Sequence, residues 1–206
     1  MKLYGSPTSP YVRKARVLIH EKKLRCEFVA EDPWPENSPI PGRNPLGKVP
    51  ALEIDAGNYL FESPLVVHYL DHVDGKSLTP KDAAGYWQTQ WWQALAQGIL
   101  DAAVARVLET RRPAEKQMPE KMAREEARIH RATAAAELRF KGGAYLVGSR
   151  LSLADLMMGV SLQYVDFRYA HDWRSKCPHL ARWHAGIVAR KSFQDTLPPG
   201  FTPPSA

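Results

Sequence analysis

Residues 3–14 have the sequence Leu-Tyr-Gly-Ser-Pro-Thr-Ser-Pro-Tyr-Val-Arg-Lys. The pattern predicts a short strand, a tight loop, and a helix whose apolar positions recur at intervals of three and four with basic residues between them. Ser9 occupies the expected N-cap, and Pro10 takes the first helical position, where its missing N–H costs no hydrogen bond. The free N–H groups of a helix start favour negative charge, so a thiolate beside Ser9 would be stabilised. Taken alone, the pattern is also that of an ordinary capping serine.

Composition and charge limit the class of protein. The 206 residues are 44% hydrophobic and 24% charged, as in a globular chain that forms one large domain or two small ones. No apolar run approaches the roughly 18 residues of a membrane span, and the N-terminus lacks the apolar core of a signal peptide. Cys26 and Cys177 form no close pair, so we expect a reducing, cytoplasmic location. The net charge of +6 is dispersed, which indicates a solvated surface and no nucleic-acid partner.

Residues 1–74 are predicted to form an α/β domain with the order β-α-β-loop-β-β-α. A second strand over residues 25–30 follows the first helix closely enough for a parallel pair joined by that helix. The prolines between residues 32 and 50 exclude a long helix there. A hairpin with a four-residue loop at residues 55–58 and a helix capped by Ser63 complete the domain.

The remainder of the chain is predicted to be helical. Residues 75–82 are polar and are interpreted as a linker, and residues 83–206 are predicted to form an all-α domain. Its longest helix is expected over residues 83–112, and a capping box at residues 152–155 predicts the start of another. The long helix contains Trp87, Trp91 and Leu95 at a spacing of four.

Two further stretches suggest ligand contacts. Residues 44–50, Asn-Pro-Leu-Gly-Lys-Val-Pro, enter a strand through a proline. A cis bond before that proline would leave the N–H and C=O of Val49 unpaired at the sheet edge, where an extended peptide can pair with them. At the next helix start, Ser63 suits a carboxylate and Glu62 an ammonium group. With the thiolate position at Ser9, these features fit a small acidic peptide that carries a thiol, although residues 44–50 also fit an ordinary turn.

In this order, four segments of the chain resemble those of the glutathione S-transferases, in the serine-type branch and its small YibF-type bacterial subgroup. The segments are residues 9–13, 44–50, 61–63 and 152–155. The resemblance covers essentially the whole chain. It implies a thioredoxin-like N-terminal domain, an all-α C-terminal domain that contributes the electrophile pocket, and a cytoplasmic homodimer that acts in detoxification.

The resemblance also implies roles for individual residues. Ser9 would donate its hydroxyl to the sulfur of glutathione, and Val49 would pair through its backbone with the cysteinyl unit. Glu62 and Ser63 would hold the γ-glutamyl end. Lys48 is the candidate for the glycyl carboxylate. Glutathione is therefore expected as a co-substrate, and no metal is expected.

The electrophile pocket is expected to include Tyr11 and Trp34. Related small enzymes place a polar residue in the loop where this chain has Trp34 and Pro35, so a contact to the glycyl end is expected to be missing there. An alternative for Trp34 is packing of its loop against the second domain. The other walls are expected from the helices that begin at Ala83 and Ser152.

The expected chemistry follows from thiol acidity. A free thiol titrates near pH 8.5, and lowering its pKa by ~2 units requires about 2.7 kcal/mol of preference for the anion. A hydroxyl hydrogen bond and a helix start can supply this together, so Ser9 acts as a donor and keeps its proton. The same thiolate also serves conjugation or reduction of hydroperoxides.

Other functions remain as alternatives. A non-catalytic glutathione-binding or protein-interaction module would have the same fold. Cysteine-dependent thiol exchange would need a cysteine at or beside position 9, and a zeta-type isomerase a Ser-Ser-Cys run, which the sequence lacks. His68 and His72 have the spacing of a metal pair, but we expect them to lie on a polar helix face.

Overall fold

A four-stranded mixed sheet organises the N-terminal part of the chain in the computed structural model, which describes residues 1–169 and 172–204. The strands are β1 Lys2–Gly5, β2 Glu27–Ala30, β3 Ala51–Asp55 and β4 Asn58–Phe61. They lie in the order β2-β1-β3-β4. β1 is parallel to β2 and antiparallel to β3, and β3 is antiparallel to β4.

Two helices complete this part of the fold. α1, Pro10–Lys22, connects the parallel strands β1 and β2, and α2, Ser63–His72, follows β4. A long connection with one short 3-10 turn, Ile40–Gly42, leads from β2 to β3. Leu3 of β1 and Leu18 of α1 are fully buried. The predicted order β-α-β-loop-β-β-α is confirmed.

The β3–β4 hairpin is tighter than the predicted one. Asp55 pairs with Asn58, which leaves a two-residue turn in place of the predicted loop over residues 55–58. Gly57 has a φ of 78° in this turn, a conformation that glycine adopts at the lowest cost. β2 is also shorter than predicted, because its pairing with β1 begins only at Glu27.

The basic residues of α1 do not all face solvent. Arg13 is 2% exposed and Lys14 is 3% exposed, although both lie between the apolar positions that the helical spacing assigns to the core. A buried cation requires hydrogen-bond acceptors or an opposite charge nearby. The partners of these two side chains therefore explain how other segments are attached to α1.

The predicted linker over residues 75–82 is partly fixed by α2. Asp71 accepts a hydrogen bond from Ser77 Oγ at 2.6 Å and another from the N–H of Leu78 at 2.8 Å. The chain accordingly divides into two compact units after Leu78. The first unit comprises Met1–Leu78 and Lys191–Phe201, and the second comprises Thr79–Arg190 and the described residues beyond Phe201.

The segment Lys191–Phe201 therefore differs from its predicted place in a helical domain of residues 83–206. Arg13 Nη2 donates to the carbonyl oxygen of Phe193 at 3.1 Å, and Arg13 Nε donates to Thr196 Oγ1 at 3.4 Å. The side chain of Phe193 is fully buried. The segment packs within the first unit because it supplies hydrogen-bond acceptors to the buried guanidinium of Arg13 and places the ring of Phe193 in the core.

The second unit is helical, as predicted. Its helices are α3 Ala83–Thr110, α4 Pro119–Arg139, α5 Leu153–Arg168 and α6 Pro178–Val188, and α7 Lys191–Gln194 follows in the first unit. α5 is buried continuously from Leu153 to Val165, and it packs against α3 and α6. Within the described residues, none of the helices is long and apolar enough to cross a membrane.

The buried face of α3 does not include Trp87. This residue, the first of the three that the sequence places at a spacing of four, is 68% exposed. The core face instead contains Trp92, Ala96 and Ile99, which are buried at intervals of four and three. α3 packs against both α4 and α5, and the orientation of its apolar face follows from those two contacts.

The predicted capping box at the start of α5 is confirmed. The Asp155 carboxylate accepts hydrogen bonds from the Ser152 N–H at 2.8 Å, the Leu146 N–H at 2.8 Å and Trp183 Nε1 at 3.0 Å. Burial raises the pKa of Asp155, and these hydrogen bonds act in the opposite direction. One buried carboxylate thus joins the start of α5 to the preceding loop and to α6.

Candidate active site

The loops that carry the predicted site residues meet at one edge of the sheet. Tyr4, near the carboxyl end of β1, is opposite Ala51 at the amino end of β3, and Ala51 is opposite Phe61 at the carboxyl end of β4. The connections after β1 and β4 and the connection before β3 therefore lie side by side. They contain Ser9, Val49 and Glu62, and Ser63 follows Glu62 as the first residue of α2.

Gly5 brings two of these connections into direct contact. A Cβ atom at Gly5 would lie 2.4 Å from Val12 Cγ2 and 3.2 Å from Val49 Cβ. Both separations are shorter than ordinary van der Waals contact between carbon atoms. The missing side chain of Gly5 thus allows the start of α1 and the loop before β3 to approach the end of β1.

Ser9 is the N-cap of α1, as predicted. Its Oγ accepts a hydrogen bond from the N–H of Val12 at 3.4 Å, and its own N–H donates to the carbonyl oxygen of Ser6 at 3.1 Å. Pro10 occupies the first turn of the helix and is buried. Because Ser9 Oγ is the acceptor in the capping contact, its hydroxyl proton is directed elsewhere and can be donated to an anion.

Val49 precedes a cis peptide bond to Pro50. Its side chain packs against a small core cluster that includes Tyr4 and Ile40. Lys48, the residue before it, is exposed. Val49 is therefore anchored by its side chain in the position where the sequence predicts pairing of its backbone with an extended peptide.

Asn44 fixes the loop that leads to Val49. The Asn44 side chain is 1% exposed. It donates from Nδ2 to the carbonyl oxygen of Lys48 at 2.6 Å and accepts at Oδ1 from the N–H of Leu46 at 2.9 Å. These hydrogen bonds close the turn over residues 44–48 and determine where the chain enters β3.

Glu62 has an unusual backbone conformation at the start of α2. The sequence predicts Ser63 as the N-cap, whereas in the structure Glu62 is the N-cap and Ser63 is the first helical residue. Glu62 has φ 64° and ψ 118°. A residue with a Cβ pays about 1–3 kcal/mol for such a conformation, and residues of this kind are concentrated at functional sites.

Ser63 is buried beneath the exposed Glu62, with 4% of its surface accessible. Its Oγ accepts a hydrogen bond from Lys14 Nζ at 3.3 Å. The amino end of α2 therefore combines the free N–H groups of a helix start with the ammonium group of Lys14. Both features favour an anion at this position.

A second cation is held near the core of the sheet. Arg43 forms an ion pair with Glu31, and its guanidinium carbon lies 4.0 Å from the centre of the Tyr4 ring. Burial and a hydrogen bond to Glu53 raise the pKa of Tyr4, and the same hydrogen bond lowers the pKa of Glu53. This network fixes the long connection after β2 against β1 and does not provide a free base.

The two predicted pocket residues differ in exposure. Tyr11 lies in the first turn of α1 and is partly buried. Trp34, in the connection after β2, is 66% exposed, and its backbone N–H donates to Asp32 Oδ1 at 3.1 Å. The exposure of the Trp34 ring leaves it accessible to a ligand.

The described part of the chain contains no group of three or more histidine, cysteine or acidic side chains that could hold a metal ion. His68 and His72 do lie together on α2, with ring centres 4.4 Å apart. His72 Nδ1 is 2.8 Å from the carbonyl oxygen of His68, so the backbone orients that ring. The pair has no third ligand among the described residues.

Sequence reasoning did not identify Gly5, Lys14 or Asn44 as contributors to the site. For Asn44, a signal was present, because asparagine before a proline commonly closes a turn through its side chain. For Gly5, the signal was a glycine at the end of a buried strand, which indicates close approach of another segment. For Lys14, the helical spacing gives no signal that distinguishes a buried lysine from an exposed one.

Comparison with known proteins agrees with this architecture. A family model described as the N-terminal domain of glutathione S-transferase matches residues 3–77, and the C-terminal domain model of the same family matches residues 119–186. The Escherichia coli K12 protein named uncharacterized GST-like protein YibF is 34% identical over 97% of this chain and 99% of its own length.

Solved structures give the same result. A glutathione S-transferase from Methylobacillus flagellatus KT with glutathione bound is 37% identical, with a TM-score of 0.90 over 96% of this chain and 98% of that one. A glutathione transferase family member from Pseudomonas fluorescens Pf-5 with bound S-(propanoic acid)-glutathione is 36% identical, with a TM-score of 0.83 over 97% and 100%. Since family models match both parts of the chain and the relatives align along nearly its whole length, the chain belongs to the glutathione S-transferase family.

Proposed function

We propose that the protein is a glutathione transferase in which Ser9 stabilises the thiolate of glutathione for attack on a small hydrophobic electrophile. The observation that carries this proposal is the position of the Ser9 hydroxyl at the start of α1, with its oxygen used as an acceptor and its proton free to be donated. The helix start adds a second source of stabilisation for an anion.

The other predicted contacts of glutathione are proposed on the same edge of the sheet. The backbone of Val49 would pair with the cysteinyl unit, while Glu62 and Ser63 would bind the ammonium and carboxylate groups of the γ-glutamyl unit. Lys48, which is exposed beside Val49, is proposed to meet the glycyl carboxylate. The glutathione-bound relative with 37% identity supports glutathione as the co-substrate.

The reaction class is proposed from the chemistry of the thiolate. The sulfur anion forms a bond to an electrophilic carbon while a leaving group such as chloride departs with the bonding electron pair. The S-substituted glutathione bound to a relative with 36% identity is of the product type for such a reaction, which supports conjugation over hydroperoxide reduction. Tyr11 and Trp34 are proposed to line the electrophile pocket.

A homodimer is proposed from the family, and light scattering of the purified protein tests it.

The proposed activity itself is tested by calorimetry with glutathione, followed by conjugation to 1-chloro-2,4-dinitrobenzene and by reduction of cumene hydroperoxide. We expect binding of glutathione and turnover of the chloro compound. Binding of glutathione without turnover of either substrate would instead support a non-catalytic module, and absence of binding would contradict the proposal.

A further inference from the structure

Lys14 is a buried lysine whose position the proposed thiolate chemistry does not explain. It lies in the second turn of α1 with 3% of its surface exposed. Its Nζ reaches the amino end of α2, where it is 3.3 Å from Ser63 Oγ. Burial of a long, charged side chain is costly in desolvation and in lost side-chain freedom, so a function at this position is worth testing.

The direction of the Lys14–Ser63 hydrogen bond is determined by chemistry. An ammonium group has three N–H donors and no acceptor, so Ser63 Oγ must be the acceptor in this contact. The hydroxyl proton of Ser63 is then directed away from Lys14. Ser63 is therefore oriented as a donor toward a group bound at the amino end of α2.

The charge of Lys14 acts in the same direction. The amino end of a helix carries a partial positive charge. Lys14 adds an ammonium group to the amino end of α2, because its Nζ donates a hydrogen bond to Ser63 Oγ there. Both lie in a partly desolvated environment, where electrostatic interactions are screened less than in water. An anion bound next to the Ser63 hydroxyl is stabilised by that hydroxyl, the helix start and the ammonium group together.

We propose that Lys14 is a positioning residue for the α-carboxylate of the γ-glutamyl unit of glutathione. It orients the Ser63 hydroxyl toward that carboxylate and supplies positive charge behind it, without contacting the ligand. The inference rests on the proposed binding of glutathione. It extends that proposal because it names the free α-carboxylate as the group of the ligand that Lys14 helps the protein to recognise.

The chain offers a matched control for this inference. Lys22 lies in the same helix and its side chain is also 3% exposed, but it reaches the other end of α2, where its Nζ is 2.7 Å from Asp74 Oδ1. The variants Lys14→Met and Lys22→Met each remove one buried ammonium group from α1 and keep most of the side-chain volume. Their thermal unfolding is measured beside their affinity for glutathione by calorimetry.

We expect Lys14→Met to weaken glutathione binding by on the order of 10-fold, since the hydrogen bond that orients the Ser63 hydroxyl and the positive charge behind the carboxylate are both lost. Lys22→Met should change the affinity by less than twofold, whatever its effect on stability. In steady-state conjugation, Lys14→Met should raise the KM for glutathione and leave kcat within about twofold. Lys14→Arg should restore most of the affinity, because the donor and the charge are retained.

A ligand variant isolates the carboxylate. The tripeptide γ-aminobutyryl-cysteinylglycine lacks only the α-carboxylate of glutathione, and its affinity for the wild type and for Lys14→Met should differ by less than twofold. Lys14→Gln is measured in parallel as a milder neutral substitution, with the same expected direction. An equal loss of affinity for both peptides, or an equal effect of Lys14→Met and Lys22→Met on glutathione binding, would overturn the inference. Failure of the wild type to bind glutathione would instead contradict the proposed function.

Discussion

Gly5 and Val49 approach each other so closely that a Cβ at Gly5 would lie 3.2 Å from the Cβ of Val49. This contact joins the end of β1 to the loop before β3 at the sheet edge that carries the proposed glutathione site. A second close approach, to Val12 of α1, places the start of the first helix at the same point. The relative positions of Ser9 and Val49 therefore depend on a residue without a side chain.

Gly5→Ala is expected to separate these segments. The added methyl group overlaps Val12 and Val49, and overpacking of this kind costs about 1–3 kcal/mol in unfolding free energy. We expect a lower melting temperature and weaker glutathione binding, measured by thermal unfolding and calorimetry. Gly98→Ala is the matched control, because a Cβ there meets nothing within 4 Å and alanine favours the helix, so that variant should be as stable as the wild type or more stable.

Asn44→Ala is expected to loosen the turn before Val49. It removes the hydrogen bonds to the Lys48 carbonyl and the Leu46 N–H from a buried position, at a cost of about 1–3 kcal/mol. Glutathione affinity should fall several-fold with stability, because the backbone of Val49 is no longer fixed. Asn37→Ala, at an exposed position of the same connection, should change neither quantity. Equal behaviour of the two variants in urea unfolding would show that the turn does not depend on Asn44.

Two substitutions of Glu62 distinguish the effect of backbone strain on stability from the effect of the carboxylate on ligand binding. Glu62→Ala removes the carboxylate and retains a Cβ at a φ of 64°, whereas Glu62→Gly removes both. Both variants should bind glutathione more weakly, because the proposed partner of its ammonium group is lost. The glycine variant should be the more stable of the two by ~1 kcal/mol in chemical unfolding. A glycine variant less stable than the alanine variant would argue against strain at this residue.

Glu137 provides a pH-dependent contribution to the stability of the helical unit. Its carboxylate accepts hydrogen bonds from the N–H groups of His179 at 3.0 Å and Leu180 at 2.8 Å, at the start of α6. Burial acts to raise the pKa of Glu137, but these hydrogen bonds, together with the contact between its carboxylate and the His179 ring, outweigh it and lower the pKa below its ordinary value. The stabilisation is therefore complete above the ordinary glutamate pKa of about 4.3 and is lost as the pH falls through the lowered value.

Glu137→Gln should accordingly be less stable than the wild type by about 1–2 kcal/mol at pH 7, and the difference should shrink below about pH 4. Urea unfolding at a series of pH values measures it. Glu36→Gln, at an exposed loop position, should follow the wild type throughout. A difference that stays constant down to pH 3 would show that the charge of Glu137 does not stabilise α6.

The predictions from sequence that succeeded rest on local patterns. The strand–loop–helix unit around Ser9 and the capping box at Ser152 are encoded by residues close together in the chain, and the structure contains both. The order β-α-β-loop-β-β-α follows from spacing and proline content in the same way. Local patterns also predict the segments of Val49 and Glu62, because a strand entered through a proline and a capped helix are recognised from neighbouring residues alone.

The features that the sequence did not predict depend on tertiary contacts. The burial of Arg13 depends on the hydrogen-bond acceptors that Phe193 and Thr196 supply, and these residues are distant in the sequence. The same contacts explain why the segment Lys191–Phe201 belongs to the first unit. The exposure of Trp87 likewise follows from how α3 packs against its two neighbours. Helical spacing identifies an apolar face, but two apolar faces one residue apart can be distinguished only by the partner helices.

The pKa of the thiol of bound glutathione tests the central claim most directly. It is measured from the ultraviolet absorbance of the thiolate as a function of pH, for the wild type and for Ser9→Ala, with glutathione saturating in both. The account predicts a thiol pKa about 2 units below the free value near 8.5 in the wild type, and a value at least 1 unit higher in Ser9→Ala. Equal thiol pKa values in the two proteins would contradict the assignment of Ser9.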